Sequence, residues 1–155
     1  MRLTKEDQAI ILAHYRAPHH SGLREPYDLE VRQFNPMCGD DLTLRVSLTG
    51  EGDGAAIDDV SYEVQGCSIS QASVSVMTDL VIGRGVREAA ELHTQFATLL
   101  RGRAQEQDAW PPQLADAAAF RDVSQHPARI KCALLSWTAL RKALPVSRLG
   151  GPDGV

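Results

Sequence analysis

Three cysteines, Cys38, Cys67 and Cys132, stand where thiols do chemistry more readily than packing. Cys38 lies in Asn35-Pro36-Met37-Cys38-Gly39-Asp40, a turn-forming run at the entrance to a strand. Cys67 lies in Gly66-Cys67-Ser68-Ile69-Ser70, between a strand and a helix. A thiol at a helix N-terminus feels the positive end of the dipole, which favours thiolate. Cys132 falls in the first turns of the last helix, beside Lys131 and three residues after Arg129, and nearby cations also favour thiolate. At about 100° per residue, Cys132 points roughly 130° away from the apolar stripe centred between Ala133 and Trp137. The pattern therefore predicts a cysteine off the core face.

Three thiolates need a fourth donor to close a tetrahedral zinc site, and Asp40 stands two residues after Cys38. Gly39 between them permits the close backbone approach that aims both side chains at one ion. The plainer role for Asp40 is a turn or capping carboxylate. An odd number of cysteines spread over most of the chain makes a poor disulfide framework. Nothing in Met1–Ala17 reads as a secretory signal, and no apolar run is long enough to span a bilayer. The expectation is a cytoplasmic protein with reduced thiols and no membrane contact. The net charge of -4, from 16 basic and 20 acidic residues without a block of either sign, argues against a nucleic-acid partner.

The elements that must position these groups are legible in outline. A chain of 155 residues with 43% apolar content fits one domain, expected over residues 1–145, with a disordered tail over 146–155. Thr4 is placed to cap a helix over about Lys5–Tyr15, and Arg16–Pro26 reads as a loop. Leu42, Leu44, Val46 and Leu48 alternate with polar residues, and Val60, Tyr62 and Val64 repeat the pattern after Gly50–Gly54. The two runs predict an antiparallel hairpin. Helical periodicity follows through Ile69–Leu80 to Gly83, through Val86–Leu100 to Gly102, and from Pro127 to Leu144 with Trp137 on the apolar face. Gly102–Pro112 reads as an exposed connection and Gln113–Phe120 as a short helix. The fold class expected is α+β, a small antiparallel sheet packed against several helices.

The three cysteine segments together resemble the motifs of the IscU/NifU-type iron–sulfur proteins. They are Asn35–Asp40, Gly66-Cys67-Ser68-Ile69-Ser70-Gln71-Ala72-Ser73 and Arg129-Ile130-Lys131-Cys132-Ala133, and the likeness extends from about Tyr15 to Trp137. The similarity is greatest to the SufU branch. The scaffold branch carries a histidine before the third cysteine, where this chain has Lys131. That branch also carries a Leu-Pro-Pro-Val-Lys chaperone-recognition motif, where this chain reads His126-Pro127-Ala128-Arg129-Ile130. The interval from Cys67 to Cys132 holds an insertion like that of SufU-type proteins. The resemblance implies a SufE/NifU-like fold and zinc held by Cys38, Asp40, Cys67 and Cys132. It also implies a sulfurtransferase in which Cys38 accepts persulfide sulfur from a SufS-type cysteine desulfurase, for delivery to a SufBCD-type scaffold. Cys38 sits in a Pro/Gly-bounded turn, whereas Cys67 and Cys132 are anchored to helices, so it is also the ligand best able to leave the metal. Arg129 is a candidate to steady a thiolate or persulfide, the alternative being a solvated first-turn arginine. The competing readings are a scaffold on which an iron–sulfur cluster is built and handed on, and a purely structural zinc module.

The remaining candidates have plain roles. Gly50-x-Gly52-x-Gly54 lacks a following Lys-Ser/Thr and reads as a hairpin turn rather than a phosphate loop. His93 falls on an apolar helical face and reads as a packing residue. His19 and His20, adjacent in a Pro/Gly loop, are expected to be solvated, with metal binding the alternative. His126 is placed to help form the last helix's N-terminus or to act near Cys132.

Overall fold

The computed structural model describes residues 4–102 and 110–145. Thr4 starts the first helix, α1 (Lys5–Arg16): its Oγ1 accepts the Asp7 N–H at 3.0 Å, and Glu6 and Asp7 lie in the first turn, where the dipole favours acids. A loop leads to an antiparallel sheet of β1 (Leu29–Asn35), β2 (Asp40–Thr49) and β3 (Ala56–Gln65), with β2 in the centre. Leu42, Leu44 and Val46 are fully buried while Thr43, Arg45 and Ser47 face partly outward, so the period of two places one face of the sheet against the core. The β2–β3 connection carries Gly50 and Gly52 at positive φ and a single 3₁₀ turn, a hairpin turn as its glycines predict.

β1 was absent from the sequence reading. Its alternation is weak because it pairs on one side only, with Asn35 opposite Asp40, and exposes Leu29 and Phe34. The Cys38 turn therefore joins two paired strands.

Helices cover the buried face of the sheet. α2 (Ser68–Val81) is enclosed by α1, α4, β3 and a 3₁₀ segment, so it buries Ser70, Ser73, Ser75 and Thr78 as well as its apolar stripe. These small polar residues satisfy their hydroxyls locally or across helices: Ser73 Oγ donates to the Ala133 carbonyl at 2.6 Å. α3 (Val86–Arg101) begins at Gly85, whose N–H is accepted by the Glu88 carboxylate at 3.4 Å, and closes at Gly102. The short helix expected at Gln113–Phe120 is instead 3₁₀ backbone over Pro112–Gln125, broken at Ala115 (φ 44°). The segment still inserts Leu114 and Phe120 into the core. α4 (Pro127–Ala143) starts on Pro127, a favourable first helical residue.

The core joins sheet and helices in one cluster. Trp137 is fully buried and packs on Phe96 at 5.0 Å between ring centroids, and Phe96 meets Phe120 edge-on at 6.3 Å. His93 is buried on α3 as its position predicts. The expected tail, 146–155, and much of the Gly102–Pro112 connection lie outside the described residues. No helix among the described residues is long and apolar enough to cross a membrane.

Candidate metal centre

The hairpin turn, the start of β2, the start of α2 and the first turns of α4 meet at one place. The Asn35–Asp40 turn is set by Gly39 at φ +70°, a conformation that costs glycine little, and by the Asn35 Oδ1 accepting the Met37 N–H at 3.3 Å. Cys38 is exposed at its tip. One ligand atom each from Cys38, Asp40 and Cys132 falls within 4.8 Å of the other two, and the Cys38 and Cys132 sulfurs are 3.2 Å apart. Cys67 is the N-cap residue of α2 and is half-buried. It lies beside this trio rather than within it, but near enough that a charge on Cys67 acts on Cys132.

Asp40 is the best-determined member. Its carboxylate is fully buried. Oδ1 accepts the Cys67 N–H at 3.1 Å and the Ser70 hydroxyl at 3.2 Å, while Oδ2 has no hydrogen-bond partner. A buried carboxylate oxygen without a partner is costly, and a cation between it and the Cys38 and Cys132 sulfurs would offset that cost. The donor set of three sulfurs and one oxygen fits zinc, a borderline-soft ion that takes both. Asp40 is thus no turn carboxylate. It is in phase with Leu42, Leu44 and Val46, so the same alternation that buries those side chains carries Asp40 to the inner face. That phase was readable in the sequence.

Cys132 departs from expectation. It is fully buried and belongs to the core cluster, because α4 is enclosed by α2, α3, β1, β2 and the 3₁₀ segment and has no single apolar stripe from which Cys132 could be excluded. Its neighbours do not favour thiolate either: burial, then the nearby Cys38, Asp40 and Cys67, hold its proton more tightly than usual. Lys131 is turned outward with Nζ 3.9 Å from the Met37 sulfur, and Arg129 is exposed, making no side-chain hydrogen bond or ion pair among the described residues. The cations flanking Cys132 in sequence therefore lie away from its sulfur. His126 stands at the start of α4, where its carbonyl accepts the Arg129 N–H at 2.8 Å.

Two residues of the site escaped the sequence reading as functional positions. Ser70 holds Asp40 from the first turn of α2, three residues after Cys67. Gly66 leaves the space that Asp40 fills: a Cβ built there would overlap Asp40 Oδ1 and lie 2.7 Å from Ser70 Oγ.

This geometry has relatives. The NifU-like N-terminal domain model matches residues 6–144. The chain is 37% identical over 135 residues to the zinc-dependent sulfurtransferase SufU of Bacillus subtilis, covering 87% of this chain and 86% of that protein. It is 38% identical over 136 residues to the iron–sulfur cluster assembly scaffold protein IscU of Streptococcus pyogenes, covering 88% and 80%. A crystal structure from Fervidobacterium islandicum, described as a candidate scaffold protein of the SUF system, superposes with a TM-score of 0.71 at 30% identity, covering 87% of this chain and 93% of that one. The chain belongs to the NifU-like N-terminal domain family of iron–sulfur cluster assembly proteins.

Proposed function

We propose that this protein is a zinc-dependent sulfurtransferase that accepts persulfide sulfur from a cysteine desulfurase for iron–sulfur cluster assembly. The observation that carries the reading is an exposed thiol, Cys38, at a hairpin tip and in contact with a buried donor set. Cys38, Asp40, Cys67 and Cys132 would hold the ion. Zinc supplies a redox-inert positive charge that keeps its thiol ligands ionised. Asp40, Cys67 and Cys132 are carried by β2, α2 and α4, whereas Cys38 stands exposed on the turn, so Cys38 is the thiol within reach of a partner.

The exposed Cys38 thiolate attacks the outer sulfur of the desulfurase persulfide. A new S–S bond forms at Cys38 Sγ, the S–S bond in the partner breaks, and the partner's cysteine leaves as thiolate, so no outside oxidant or reductant is needed. Arg129, exposed on the first turn of α4, is proposed to steady the anionic persulfide. Met37, the residue before Cys38, and Phe34 at the end of β1 are 70% and 55% exposed, apolar surface suited to contact with the desulfurase. We place the protein in the cytoplasm, where its thiols stay reduced, with a SufS-type desulfurase as donor and a SufBCD-type scaffold as acceptor.

Mass spectrometry after turnover with desulfurase and cysteine should find the added sulfur on Cys38. Sulfur on Cys67 or Cys132, with Cys38 unmodified, refutes the assignment. The identity to the Streptococcus pyogenes scaffold supports a second reading, assembly of a cluster on the same residues. Metal content separates the two: colourless protein with one zinc supports sulfur transfer, and brown protein with labile sulfide supports a scaffold.

Ser70 gives a smaller test. Its hydroxyl proton is shared between Asp40 Oδ1 and the Cys67 carbonyl at 2.9 Å, so it orients the carboxylate ligand. Ser70→Ala should weaken zinc binding about tenfold in chelator competition, the lower range for losing such a support. Unchanged affinity would mean that the Cys67 N–H alone holds Asp40.

A further inference from the structure

A second cluster of metal-ligating side chains lies among α1, the following loop, α2 and the 3₁₀ segment, built from residues that the thiolate centre does not use. His14, His19 and Asp79 each place one ligand atom within 4.8 Å of the other two. His14 is buried, and its Nδ1 lies 2.7 Å from Ser75 Oγ. Its Nε2 faces Asp116 Oδ2 at 3.3 Å. His19 Nδ1 is 2.6 Å from Asp79 Oδ2, and His20 Nε2 approaches the other Asp79 oxygen at 3.6 Å. The two imidazoles of His14 and His19 sit 4.6 Å apart, tilted by 50°.

The position of His19 is fixed from both sides of its backbone. Its N–H donates to Ser75 Oγ at 2.8 Å and its carbonyl accepts the Tyr62 hydroxyl at 2.7 Å. One hydroxyl, Ser75, therefore anchors both histidines. Metal-binding histidines characteristically have one ring nitrogen held by a partner while the other is offered to the ion, and Ser75 is such a partner to the His14 ring, whereas at His19 it holds the backbone. Loop closure alone would need one histidine–aspartate pair. Two histidines converging with the Asp79 carboxylate, one ring buried and the other open to solvent, form a donor set with an entry path, and Asp116 stands against the buried ring.

We propose that His14, His19 and Asp79, with Asp116 as a further oxygen donor, bind a divalent first-row transition ion. Imidazole and carboxylate suit zinc, nickel, cobalt or ferrous iron, and the two-histidine, one-carboxylate arrangement with open positions is the pattern of ferrous sites. This site holds no sulfur, so it differs in preference from the cysteine centre. The proposal stands independently of the sulfur-transfer reading.

The test uses the full chain with its cysteine centre filled by zinc, titrated with cobalt(II). The result expected is one further equivalent of cobalt with weak d–d absorption and no thiolate-to-cobalt charge transfer. His19→Ala and Asp79→Asn, both at partly exposed positions, should each weaken that equivalent by at least about tenfold while leaving zinc content and melting temperature unchanged. Absence of cobalt binding to the zinc-loaded protein overturns the proposal. So does cobalt binding that both variants leave intact, or that they lose only together with zinc or thermal stability, since the cluster would then be a structural clasp.

Discussion

Stripping the metal from the cysteine centre should lower the melting temperature by about 10 °C, restored by adding zinc back. The proposed donors stand on a hairpin turn, the first residue of β2, the cap of α2 and the first turns of α4, so an ion bound there would tie together elements far apart in sequence. Without it, Asp40 Oδ2 is buried with no partner and the buried Cys132 sulfur faces another sulfur at 3.2 Å. The metal-free state thus keeps the cost of dehydrating those groups and loses what compensates it. An ion present at a thousand times its dissociation constant stabilises by about 4 kcal/mol. For a chain of this size each kcal/mol moves the midpoint by about 2–4 °C, which gives the shift expected. Scanning calorimetry of chelator-treated and zinc-restored protein checks it. Coincident melting curves would show that the centre contributes nothing to the fold.

How much of this centre was visible beforehand depends on which physical signal each part carries. The β2–β3 hairpin was legible because Leu42, Leu44 and Val46 face the core from a strand with one solvated side, so polarity reports burial. α3 was legible for the same reason in helical form, and Gly102 marked its end. β1 was not, because an edge strand with an outward Phe34 has little alternation to report. Cys132 was misplaced because an amphipathic stripe locates the core only when a helix has a wet face, and α4 has almost none along Cys132–Trp137. Cys38, Asp40 and Cys132, which the fold brings together, were singled out beforehand through their motifs. Their supports, Ser70 and Gly66, act through contacts that only the folded chain creates, and so does the convergence of His14 and His19 on Asp79.

Gly66→Ala should lower zinc affinity about 100-fold, the upper range for disturbing the residues that orient a ligand. The substitution leaves every ligand in place and adds one methyl group. That methyl would overlap Asp40 Oδ1, lie 2.7 Å from Ser70 Oγ and come within 2.9 Å of Asp40 Cγ. Ser70 can rotate its short side chain away, but Asp40 is fully buried and held by the Cys67 N–H and Ser70. Its carboxylate must therefore turn, breaking the Oδ1 contacts that hold it in the cluster with Cys38 and Cys132. Gly54→Ala is the matched control, since a Cβ there meets nothing within 4 Å. It should leave zinc affinity unchanged. A double-mutant cycle separates this mechanism from general damage to the strand end. If the clash with Asp40 is the cause, adding Gly66→Ala to Asp40→Ala should cost little more than Asp40→Ala alone, because the obstructed carboxylate is already gone. Equal losses from Gly66→Ala in both backgrounds would place its effect elsewhere and remove the claim that this glycine exists to seat Asp40.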